Sequence, residues 1–141
     1  MKHLLPEGWA RPSGYSNGVQ AQGSQVFVAG MVGWDKDRCF ADGFVAQLEK
    51  VLENTVAVLT EAGAGPEHMV RMTWYVKGLD AYRDNLSEIG RAYRKIMGKN
   101  YPAMAVVGVA DLVAREALIE IETTAVIPGQ AGVSRSRNVA S

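Results

Sequence analysis

The sequence predicts an α+β domain, a mixed β-sheet with two helices on one face, in the order β-β-α-β-α-β-β. Two segments, Asp42 to Gly63 and Asp80 to Gly98, carry apolar residues at helical spacing, and two others, Val70 to Lys77 and Leu118 to Ile127, alternate residue by residue. Helices interleaved with strands in this way form an α+β sheet.

A first strand is expected near Ser16 to Ala21, paired with the next across the hairpin-like turn Gln22-Gly23-Ser24. Gln25 to Val32 (QVFVAGMV) is short, apolar and rich in β-branched residues, as a strand buried on both faces would be. Asp42 stands where it can cap a helix whose Val45, Leu48, Val51, Leu52, Val56 and Leu59 share one face. Gly63, Gly65 and Pro66 stop that helix. In the next strand Val70, Met72, Trp74 and Val76 oppose Arg71, Thr73, Tyr75 and Lys77. The second helix lines up Tyr82, Leu86, Ile89, Tyr93, Ile96 and Met97, and Gly98 suits a left-handed cap. The last strand sets Ile119 and Ile121 against Glu120 and Glu122. Phe27, Tyr75, Met104 and Val106 are expected on the helix-free face, too apolar a set to face water, so self-association is expected to cover them.

The 141 residues, 48% of them hydrophobic, suffice for one domain with a real core. That domain is expected over residues 1–128, and the small, polar segment 129–141 reads as a flexible tail. Fifteen basic and fifteen acidic residues cancel, so no nucleic-acid partner is expected. The start MKHLLPEGWARP lacks the apolar run of a secretory signal, and no segment reaches the roughly 18 consecutive apolar residues of a membrane helix. Cys39 is alone, and neither His3 nor His68 stands at metal-ligand spacing from it, so no metal site is expected and a cytoplasmic setting fits. Lys36 and Arg38 could activate Cys39, but no histidine is spaced to serve it, and it reads as an inert loop residue.

The C-terminal run YPAMAVVGVADLVAREALIEIETTAV, with Gly14-Tyr15, VFVAGMVG, NTVAVLTEAG and HMVRMTWYV before it, closely resembles the reactive intermediate deaminase family (Rid, YjgF-like). The resemblance runs from about Tyr15 to Val126. It implies a chorismate-mutase-like fold, a homotrimer with pockets between subunits, and hydrolysis of enamines or imines without a cofactor. Tyr15 matches a tyrosine that borders the family's pocket, and Glu120 matches the glutamate that positions or activates the hydrolytic water. The loop between Ala110 and Ile119 is one residue longer than usual ahead of that glutamate. Ala29-Gly30-Met31 stands where the family has Ser-Gly-Gln, Gly90 where an asparagine is common, and Met104 where an arginine grips the substrate carboxylate. Four polar side chains are thereby replaced, which points to a substrate other than a simple 2-imino acid.

The residues leave alternatives open. Glu120 is either a general base or a strand glutamate that is exposed or salt-bridged, with Arg71 the candidate partner. Arg71 is either a solvated or ion-paired cation or a substitute for the missing arginine, and Tyr15 walls a pocket or packs at an interface. Three functions follow: an enamine/imine deaminase, a non-catalytic small-molecule-binding trimer, and, less favoured, a ribonuclease or translation inhibitor.

Overall fold

The computed structural model describes residues 1–129. The strands are β1 (Lys2–Leu4), β2 (Gly18–Gln20), β3 (Ser24–Val32), β4 (Met69–Val76), β5 (Ala103–Gly108) and β6 (Ile119–Ile127). The helices are α1 (Phe44–Glu61), α2 (Leu79–Asp84) and α3 (Leu86–Met97), with a short 3-10 turn at Pro66–His68. Four strands form the main sheet in the order β3-β6-β4-β5; β4 and β5 are parallel, and the other pairs are antiparallel. The predicted mixed α+β architecture is therefore present.

Alternation decides which face each strand buries. Met72, Trp74 and Val76 of β4 and Ile119 and Ile121 of β6 enter the core beneath Leu48, Val51, Leu52 and Leu59 of α1 and Ile89, Tyr93 and Met97 of α3. Each fully buried aliphatic side chain of this set contributes about 1.5–3 kcal/mol. Buried Gln47 ties α1 to the start of β6: its Nε2 donates to the Glu116 carbonyl at 2.9 Å, and its Oε1 accepts from the Leu118 N–H at 2.8 Å.

Several expectations need correction. The strand near Ser16 pairs with β1, forming a separate two-stranded ribbon, and not with β3 across residues 22–24. Strand β3 lies at a sheet edge with alternating exposure, so it is not buried on both faces. Gly43, without a side-chain cap bond, precedes α1 in place of an Asp42 cap. The second helix breaks at Asn85 into α2 and α3, which leaves Leu86 at the new N-terminus and 57% exposed. The parallel register pairs Met104 with Met72 and Val106 with Trp74, so both lie on the helix side of the sheet. The helix-free face carries Ala103, Ala105 and Val107 of β5 in their place, together with Phe27, which is 71% exposed. Apart from Gly129, the expected tail lies outside the described residues.

Among the described residues, no helix is long and apolar enough to cross a membrane, and no group of three or more His, Cys, Asp or Glu is arranged to hold a metal ion. Exposed Cys39 donates weakly to the Asp37 carbonyl.

Candidate functional site

A cleft of about 560 Å³ opens between β5, α2, α3 and the segment leading to β2. It brings together Tyr15, Gly90 and Met104, three residues that the sequence places in separate segments. Tyr15 is held there by its neighbour: the Ser16 N–H donates to the Pro102 carbonyl at 3.0 Å, and Ser16 bridges to Ala103 in parallel fashion. His3 Nδ1 lies 2.8 Å from Ser16 Oγ and ties β1 to the same place. The Pro-Ala start of β5 thus seats both Met104 and the tyrosine beside it.

The cleft wall is aromatic. Tyr93 stacks on Tyr101 with centroids 5.3 Å apart, and Trp74 lies 6.3 Å from Tyr93 and edge-on to Tyr82 at 6.2 Å. Burial, with a smaller contribution from Tyr101, pushes the Tyr93 hydroxyl far above the usual phenol range; that hydroxyl donates to the Asn100 carbonyl. Burial also raises Tyr82. Met104 and Val106 add apolar surface to this lining.

Glu120 is elsewhere. It projects from the sheet face opposite its buried neighbours Ile119 and Ile121, and so opposite Met104. A β-bulge at Ala29-Gly30, between the pairs Val28–Thr123 and Met31–Ile121, carries β3 past it. Gly30 approaches so closely that a Cβ there would sit 2.3 Å from Glu120 Oε2. Ala29 is exposed at the bulge, whereas Met31 turns into the core as packing. Within one chain, then, the predicted residues form two sets on opposite faces: Tyr15, Gly90 and Met104 in the cleft, Gly30 and Glu120 across the sheet.

Arg71 joins neither set. It pairs in register with Ala103 and lines a shallow groove of about 130 Å³ with Phe27, Thr73 and Glu122. Its position on the face opposite Met104 rules it out as that residue's substitute within one chain. Arg71 also makes no ion pair with Glu120: the salt bridges among the described residues are Lys77–Asp111, Arg83–Asp80 and Lys95–Glu49. Glu122 accepts a 2.6 Å hydrogen bond from the Tyr75 hydroxyl. That bond, ahead of desolvation, raises Tyr75 above its ordinary value. The Glu120 carboxylate has no such partner among the described residues.

Sequence reasoning missed the aromatic wall and Arg94. Arg94 lies one helical turn after Gly90 and lines the cleft, its Nη1 3.1 Å from where a Gly90 Cβ would stand. The i,i+4 spacing was the available signal.

The model of the endoribonuclease L-PSP family matches residues 9–127. The RutC family protein UK114 of Drosophila melanogaster is 31% identical over 118 residues, spanning 82% of each chain. Among solved structures, YyfB of the conserved Rid protein family from Yersinia pestis is 33% identical with a TM-score of 0.79, covering 89% of this chain and 98% of that one. E. coli TdcF with bound serine is 25% identical with a TM-score of 0.65, covering 90% and 99%.

Proposed function

The chain belongs to the endoribonuclease L-PSP family, the Rid and YjgF-like proteins, and on that premise we propose that it hydrolyses a reactive enamine or imine to a ketone and ammonia. The cleft of one subunit is completed by Glu120 and Gly30 of another in a homotrimer, since the two sets lie on opposite faces of one chain. The observation that carries this reading is the contrast between the two strand glutamates. Glu122 is engaged by Tyr75, whereas Glu120 has no side-chain partner among the described residues and lies beside a residue with no side chain.

Glu120 takes a proton from water as the water oxygen bonds to the C=N carbon, and that proton passes on to the nitrogen to give a carbinolamine and restore the carboxylate. The carbinolamine hydroxyl then gives its proton to the nitrogen as the C–N bond breaks with its electron pair on nitrogen, so ammonia leaves and the carbon keeps its oxygen as a ketone. No external electron acceptor enters this balance, and orientation of one water by a carboxylate supplies the acceleration. The serine bound to TdcF supports a small-molecule role for the fold. Met104 offers no donor to a carboxylate, so a simple 2-imino acid forgoes about 1.5–3 kcal/mol of charge-assisted binding; the reading is of a different imine. Zero formal net charge lends no support to an RNA partner.

The test is ketone formation from imines released in situ by an amine-oxidising enzyme, measured against the spontaneous rate. Acceleration by the purified protein is expected for at least one bulky apolar imine. Ligand binding without acceleration across such a panel would favour the non-catalytic reading.

A further inference from the structure

Strand β1 is exposed along its whole length, so burial does not explain its place against β2. What it delivers is His3. The Ser16 hydroxyl donates to the Tyr101 carbonyl, and the Ser16 N–H donates to the next carbonyl, that of Pro102, at 3.0 Å. A hydroxyl has one hydrogen and a carbonyl can only accept, so that hydrogen is committed to Tyr101. His3 Nδ1, 2.8 Å from the same Ser16 oxygen, is therefore the donor to it. Either the neutral ring carries its hydrogen on Nδ1 or the ring is an imidazolium, and Nδ1 donates in both.

The residues beside this clamp line the cleft. Tyr15 precedes Ser16, and Tyr101, whose carbonyl is gripped, stacks on Tyr93. Tyr15 is 42% exposed, and Gly14 before it takes a left-handed φ of 80°. Packing alone does not fix such a ring, so the seat of Ser16 beside β5 decides where it stands.

We propose that His3 is a positioning residue for the cleft: it donates through Nδ1 to Ser16, locks that residue across the Tyr101 and Pro102 carbonyls, and so holds the Tyr15 wall in place for the ligand. This rests on the reading of the cleft as the substrate site. It gives His3 no part in the chemistry, since His3 acts only through Ser16.

NMR of the imidazole nitrogens in the purified full chain tests the donor directly. The neutral His3 ring should carry its hydrogen on Nδ1; a hydrogen on Nε2 would overturn the assignment. The Ser16 amide should exchange with solvent faster in His3→Ala, and at the wild-type rate in His3→Asn, whose Nδ2–H replaces the Nδ1 donor. Unchanged exchange in His3→Ala would show that Ser16 needs no lock. The cleft is probed with acetophenone, an aryl ketone of the kind that hydrolysis of an apolar imine leaves, by titration of the Tyr15 and Tyr101 resonances. His3→Ala should bind it about three- to tenfold more weakly than the wild type, and His3→Asn should restore the affinity. A wild type that does not bind acetophenone, a His3→Ala protein that binds it equally well, or an asparagine that restores nothing would overturn the role. With an accepted imine the same loss should appear in KM while kcat is kept. Acetophenone binding that depends on His3, with no imine hydrolysed, would sink the hydrolytic reading and leave this one standing. Turnover with an unaltered KM in His3→Ala would do the reverse.

Discussion

The Glu120 carboxylate occupies the space that a side chain on Gly30 would need, with Oε2 at 2.3 Å and Cδ at 2.8 Å from the Cβ position. Only glycine at the β3 bulge leaves the carboxylate in place. The obstructing atoms end a flexible side chain, so a larger residue should swing Glu120 aside before it disturbs the sheet. Gly30→Ser is expected to keep its thermal unfolding midpoint within a few degrees and to lower turnover by about tenfold or more. Full activity in that variant would show that the carboxylate position is not used.

Met104 sits in the cleft with Tyr15, where a guanidinium would face the same space. Met104→Arg should raise kcat/KM on 2-iminopropionate, released from serine by a dehydratase, by about ten- to a hundredfold. A wild type as active on this compound as the variant would show that the methionine imposes no selection.

The helix-free face presents Phe27 with Val107. Sedimentation at micromolar concentration should give three times the chain mass of 15.2 kDa. Phe27→Glu should shift the protein toward monomer and lower turnover with it. A well-folded, active wild-type monomer would remove the shared site.

Tyr93 gives the pH dependence. Its folded pKa is raised above the ordinary 10.0, chiefly by burial, so its contribution to stability is fully present below pH 10.0 and is lost as pH rises through the folded value. Stability measured by urea unfolding should fall with rising alkalinity, and Tyr93→Phe should flatten that fall. An unchanged slope would place the alkaline sensitivity on other groups.

The periodicities of α1, β4 and β6 were legible because each buries one face of a regular element, and burial writes itself into spacing. Strand β1 was not, because Lys2–Leu4 is exposed along its length and carries no such imprint. The face assigned to Met104 and Val106 was inverted, since in a short apolar strand every residue is a candidate for the core; only the pairing with Met72 and Trp74 decides it. Tyr15, Gly90, Met104 and Glu120 were found through motif resemblance, not through spacing. Arg94 escaped because the sequence marks only the missing side chain four residues earlier, not the guanidinium that lies over it.

The central claim is that Glu120 activates water. Glu120→Gln preserves shape and removes the basic oxygen, so the variant should stay folded and oligomeric while its turnover of the accepted imine falls by about 10²–10⁴-fold. Glu122→Gln, which disturbs only the Tyr75 hydrogen bond, should retain most of its turnover. Steady-state kinetics of the two variants side by side is the deciding measurement: full activity in Glu120→Gln, or a dead Glu122→Gln beside it, would contradict the account.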